Sequence, residues 1–155
     1  MKSLSAIFIL FLLYSCSNSS TDTTNNLDSS AIEPTLEVDV LDTTGGKGVF
    51  FETLHDSQIV KSPIKIKMGL KGMEVEAAGP INQNKGHHHI IIDGTTIDEG
   101  LPIPLDETHI HFGKGQTETE LNLTPGPHTL TLQFANGVHA SYGHRWGRSI
   151  TVIVK

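Results

Sequence analysis

Ile64-Lys65-Ile66-Lys67-Met68-Gly69-Leu70-Lys71 alternates without a break, with Ile64, Ile66, Met68 and Leu70 at one parity and lysine or glycine at the other. Side chains along a β-strand point to opposite faces in turn, so this octet reads as a strand with one apolar and one solvated face. The stretch His128-Thr129-Leu130-Thr131-Leu132-Gln133-Phe134 repeats the pattern after the turn residues Pro125-Gly126-Pro127. Further strands are expected over residues 36–41, 48–53, 88–93, 109–112, 118–123 and 149–154, with Asp93-Gly94 and Asn136-Gly137 as tight-turn dipeptides. Beyond the extreme N-terminus, no segment carries apolar residues at helical spacing. About seven to nine short strands in one domain predict an all-β fold, an immunoglobulin-like β-sandwich, with a cupin-like jelly roll as the alternative arrangement.

The N-terminus reads as an address. Lys2 precedes an apolar run from Ala6 to Tyr14, too short for a bilayer span of about twenty residues but of signal-peptide length. It ends in Leu13-Tyr14-Ser15-Cys16, which resembles a bacterial lipobox, in which the cysteine is lipidated and becomes the mature N-terminus. Cys16 is the single cysteine of the chain. Used as a lipid attachment point, it leaves no thiol for a disulfide, a nucleophile or a metal ligand.

Residues 1–15 are thus expected to be a lipoprotein signal peptide. Residues 16–34, almost wholly Ser, Thr, Asn and Asp, are expected to be the lipidated cysteine and a flexible polar tether. Residues 35–155 are expected to form a single domain, long enough to bury a core of its own. The location implied is the cell envelope, lipid-anchored, on a periplasmic or extracellular face. A formal net charge of −6 with no basic stripe argues against nucleic acid as a partner. The partners expected are the membrane, through the anchor, and a metal ion.

The metal expectation rests on histidine. Of nine histidines, all but His55 fall between His87 and His144. His87 and His89 lie two apart in β-like sequence, as do His109 and His111, so each pair projects from one face of its strand. Imidazole is the commonest protein metal ligand. If the two strands are neighbours with matched parity, His87, His89, His109 and His111 converge on one patch suited to copper or zinc. His88 has the opposite parity and is excluded, and His128 shares parity with Leu130 and Leu132 and is expected to cap the core. Met73, at the end of the Ile64 strand, and His139 and His144, in the Gly137-to-His144 loop, are possible additional ligands.

Enzyme signatures are weak by comparison. His109-Ile110-His111-Phe112-Gly113 resembles the zinc strand of animal-type carbonic anhydrases over five residues only, in a chain too short for that fold. The cupin pattern lacks its glutamate after the first histidine pair, and Gly113-Lys114-Gly115-Gln116-Thr117 lacks phosphate-loop spacing. No nucleophile elbow is present, so no catalytic residue is assigned.

Four ordered motifs together are similar to the bacterial domain of unknown function 4399. They are Gly72-Met73-Glu74-Val75-Glu76-Ala77-Ala78-Gly79, Gly86-His87-His88-His89-Ile90-Ile91-Ile92-Asp93, His109-Ile110-His111-Phe112-Gly113-Lys114-Gly115-Gln116-Thr117-Glu118 and Leu123-Thr124-Pro125-Gly126-Pro127-His128-Thr129-Leu130. The likeness runs from about Pro63 to Val154. It implies export and a β-sandwich and brings no activity with it. The chain departs from the pattern at His139-Ala140-Ser141-Tyr142-Gly143-His144, which keeps the histidines of that loop and lacks its prolines.

The leading expectation is therefore a membrane-anchored, non-catalytic metal-binding module for copper or zinc. One alternative is a domain that binds a non-metal ligand or partner through its histidines, Arg145 and Trp146. Another is a small three-His metalloenzyme. The anchor has a direct test: Cys16→Ser should move the protein from the membrane fraction to the soluble fraction without altering the circular dichroism of the domain. Continued membrane association would refute the lipid attachment.

Overall fold

The computed structural model describes residues 46–155, so the signal segment, Cys16, the tether and the strand expected at 36–41 lie outside the described residues. The described residues form nine strands: β1 Gly48–Phe51, β2 Gln58–Val60, β3 Ile64–Lys71, β4 Glu74–Val75, β5 Lys85–Ile92, β6 His109–His111, β7 Glu118–Leu121, β8 Gly126–Ala135 and β9 Gly147–Val154. A single 3-10 turn, His144–Trp146, precedes β9. The fold is all-β, and its two packed sheets are consistent with the immunoglobulin-like sandwich expected.

The smaller sheet has the order β1-β3-β7. The larger runs β2-β9-β8-β5-β4, with β6 also paired to β5. The alternation of β3 turns Ile64, Ile66 and Met68 into the gap between the sheets, each no more than 2 % exposed, while Lys65 and Lys67 face water. Ile90, Leu130, Leu132, Phe134, Ile150 and Val152 come from the larger sheet to meet them. Burial of such aliphatic side chains, at about 25 cal/mol per Å², is the main force holding the sandwich together.

Two strands were absent from the sequence reading. β2 and β4 are only three and two residues long, and both pair in parallel with distant partners, β9 and β5. Segments that short have no measurable period, and a parallel pairing leaves no hairpin turn to announce it. β5 in turn begins at Lys85 rather than at 88, which brings His87 fully into the sheet.

β5 is buried on both sides, and the reason positions everything that follows. Its inner face, His88 and Ile90, packs in the sandwich core. Its outer face lies under a long loop between β5 and β6. That loop is tied to the outer polar residues of the sheet: Thr131 Oγ1 donates to the Gly94 carbonyl at 2.8 Å, and the Ile97 amide donates to Gln133 Oε1 at 3.0 Å. Ser141 Oγ donates to the Ile97 carbonyl at 2.8 Å, and backbone bonds join Leu101 to Ser141 and Ile103 to His139. The outer face is polar because a loop full of backbone donors and acceptors covers it, rather than water.

A strand with one face in the core and one in solvent responds unequally to charge. Ile66→Asp should cost at least about 3 kcal/mol in denaturant unfolding, because an unpaired carboxylate enters the core. Lys65→Asp, which loses only an exposed 3.6 Å pair with Glu120, should stay within about 1 kcal/mol. Equal effects would mean that the register of β3 is misassigned.

Candidate metal centre

Antiparallel pairing of β5 with β6 sets His89 opposite His111, and Ile91 opposite His109. His87 and His89 therefore share the outer face with His111. The loop after β8 adds His139. The four ring nitrogens that His87, His89, His111 and His139 can offer lie within 4.8 Å of one another. Nε2 of His111 is 3.0 Å from Nε2 of His87 and 2.9 Å from Nε2 of His139. In a tetrahedral zinc site with Zn–N bonds near 2.0–2.1 Å, neighbouring nitrogens stand roughly 3.3–3.4 Å apart. To reach that spacing the two short pairs widen by a few tenths of an ångström and the more distant nitrogens, which stand up to 4.8 Å apart, draw in.

His139 is delivered by turn chemistry. Asn136 Oδ1 accepts the amides of Val138 and Ala140 at 3.1 and 3.0 Å, closing an Asx-type turn. His139 sits in it at φ 68°, held by its own amide to the Asn136 carbonyl and by the Ile103 amide on its carbonyl. Gly137 is required there, since a Cβ would come within 2.5 Å of the Gly79 and Pro80 carbonyl oxygens. Gly113 makes similar room for His111, because a Cβ at that position would stand 2.3 Å from the imidazole Cε1.

The other expected site residues lie elsewhere. His109 has the right parity but sits one pair further along β6, and its Nδ1 bonds Asp106 Oδ1 at 2.8 Å. That bond holds the Asp106 carboxyl well below its usual range. His144 bonds Thr96 Oγ1 and, at 2.7 Å, Asp98 Oδ1 on the exposed surface. Met73 packs against the core. His128 pairs with Asp93 at 2.9 Å, which raises its pKa. Trp146 packs near Phe134 and Tyr142 beside the core and is half-buried.

The electrostatics of the cluster favour neutral imidazole. Burial, then the neighbouring His111 and His139, lowers the pKa of His87 to about 4. His89 is lowered further, to about 2, first by burial and then by His87 and His111. His111 is lowered by burial and by His139. The arrangement of the imidazoles is also frustrated. Nε2 of His111 has either one proton or one lone pair to serve two imidazole neighbours. Nδ1 of His87 and Nδ1 of His89 are buried with no partner. An unsatisfied buried polar atom costs about 1–3 kcal/mol.

His88, on the opposite face, is a separate case. It is 0 % exposed, its ring stands edge-on to Phe134 with centroids 5.2 Å apart, and neither ring nitrogen has a partner. Burial lowers its pKa to about 4. It fills the core as a neutral, polar ring.

The sequence model of the family described as Domain of unknown function (DUF4399) matches residues 66–155. The match spans more than half of the chain and all four clustered histidines, and the chain belongs to that family. No curated protein and no solved structure shows significant similarity to it.

Histidines kept neutral in the folded state make stability depend on pH with a definite sign. The unfolded chain protonates them near pH 6.5, whereas folded His87 and His88 do so only near 4. Between those values the unfolded state binds more protons, so metal-free protein should lose stability as pH falls from about 6.5 to 4. His128, with its raised pKa, works in the opposite sense and contributes most below its unfolded value. Denaturant titration of His88→Leu across this range should show about 3 kcal/mol less acid destabilisation than wild type. An unchanged pH slope would show that His88 is not held neutral.

Proposed function

We propose that the domain is a non-catalytic metal-binding module that holds copper or zinc on His87, His89, His111 and His139, displayed at the cell envelope on a Cys16-linked lipid anchor. The observation that carries the reading is the convergence of four imidazoles, from two strands and a loop, within 4.8 Å. Four protein ligands close a tetrahedral shell, which is the pattern of a holding site rather than of an open catalytic one. Neutral imidazoles are ready donors. Because burial already excludes protons from His87 and His89, protons compete poorly for the lone pairs, and the site should retain metal below pH 6. A bound ion would also relieve the crowding at Nε2 of His111, which two imidazole nitrogens share.

The reading is tested on protein purified without an affinity tag, because the run His87-His88-His89 could itself collect nickel from a column. Cu(II) and Zn(II) titrations should show one tight site per chain. His87→Ala, His111→Ala and His139→Ala should each weaken it by at least about tenfold, the scale on which even supporting residues act. His109→Ala and His55→Ala should leave it unchanged, since one is held by Asp106 and the other lies on an exposed loop. Equal losses from His109→Ala and His139→Ala, or binding no tighter than that of scattered surface histidines, would overturn the assignment.

A further inference from the structure

A four-histidine shell carries no charge. A divalent ion placed in it brings two positive charges into a half-buried site whose four ligands carry no charge to cancel them. The clustered ligands include no Asp or Glu. Asp106, just before the β6 histidines, is already committed to His109 and to the amide and hydroxyl of Thr108. Transferring an uncompensated ion out of water costs several kcal/mol even after relaxation. The charge has to be balanced by something that arrives with the metal or after it.

A pocket of about 410 Å³ opens onto the cluster, at the lower end of the roughly 300–1,000 Å³ typical of small-molecule sites. Its polar end is His89, His111 and His139, and its walls are Pro102, Ile103, Pro104, Leu105 and Val138. Leu105 and Val138 are 87 % and 53 % exposed, an unusual state for large aliphatic side chains beside a buried polar centre. The histidines at one end and the aliphatic walls at the other describe the complement of an amphipathic molecule.

Resting on the four-histidine metal reading, we propose that this pocket binds a small organic carboxylate, whose oxygen joins the metal and whose aliphatic body lies against Ile103, Leu105 and Val138. The carboxylate supplies the missing negative charge. Its oxygen enters as a fifth ligand from the side on which His89, His111 and His139 line the pocket, so the four-histidine shell is kept and expanded rather than broken. The His89 ring stacks on His111 at 5.1 Å with an interplanar angle of 20°, a side-by-side arrangement set by their cross-strand pairing. His87, by contrast, does not line the pocket and forms the closed side of the shell. The bound form is a ternary complex in which the protein holds the metal from beneath and the carboxylate covers it.

The test uses full-length protein, loaded with Cu(II) or with Co(II) in place of Zn(II), and follows visible absorption during titration with acetate, butyrate and butyramide. Each methylene buried against an apolar wall is worth about fourfold in affinity. Butyrate should therefore shift the spectrum at roughly tenfold lower concentration than acetate, and butyramide, which has the same body without the charge, should not shift it. Leu105→Ser should keep metal affinity within about threefold and bring the butyrate response close to that of acetate, because the apolar wall is lost while no charge is added. Metal bound normally with no response to butyrate, equal responses to acetate and butyrate, or a butyrate response undiminished in Leu105→Ser would each overturn the proposal alone. Failure to bind either metal would overturn the four-histidine reading, and the carboxylate site with it.

Discussion

The domain depends on a strand that has no solvent face. β5 is flanked by β8 on one edge and by β4 and β6 on the other, with the sandwich core beneath and the loop from β5 to β6 above. From Gly86 to Ile91 every residue is buried. A strand in that position is expected to read as continuous Val, Ile and Leu. This one reads Gly86-His87-His88-His89-Ile90-Ile91. Three consecutive histidines thus occupy a fully buried stretch of the sheet, beside the equally buried Leu130–Ala135 stretch of β8, and both their depressed pKa values and their unpartnered nitrogens follow from that placement. A one-residue slip of β5 would put His88 in the cluster and His87 and His89 in the core. Register is therefore the variable that the chain has to fix most firmly, and the pairings with β6 and β8 fix it together.

Much of this was legible from period alone. The alternation in β3 and β8 identified the core faces, and the His-x-His pairs identified the two strands whose parity places side chains on one outer face. What period could not supply was alignment along the strands. His109 and His111 are equivalent by parity, yet the three-residue β6 pairs so that only His111 stands across from a histidine. The competing attraction of Asp106, three residues before His109, is visible in the sequence, and a carboxylate at that spacing in a turn is a ready partner for the ring. His139 was legible only as a possible contributor. Its delivery depends on a side-chain-capped turn at Asn136 and on the close approach of Gly137 to Gly79, which are tertiary facts.

The two buried faces of β5 treat histidine differently. On the core side, His88 has a single aromatic neighbour and acts as a neutral filler whose missing hydrogen bonds are a plain cost. On the outer side, His87 faces other imidazoles, and the cost becomes conditional, because Nε2 of His111 is shared between Nε2 of His87 and Nε2 of His139, a deficit that a ligand common to all three would fill. A folded state that stores such a deficit is stabilised by whatever fills it, by mass action on the native form alone. The deficit is local to the outer face, so filling it does not require the sandwich core to rearrange.

The loop that covers β5 links these features. It bonds to Thr131 and Gln133 of β8, to the side chain and backbone of Ser141 and to the carbonyl of His139. It also supplies the aliphatic wall from Pro102 to Leu105. One segment therefore desolvates His87 and His89, helps to hold the turn that carries His139, and forms the apolar approach to the cluster. Loosening the loop would admit water to the imidazoles, release the turn and dismantle the pocket together. The converse also holds: an occupant that bridges His139 and the strand histidines ties the turn after β8, which the covering loop holds through Ile103, to the sheet. Binding at the cluster and closure of the loop are then one equilibrium, in which each stabilises the other by the same free energy.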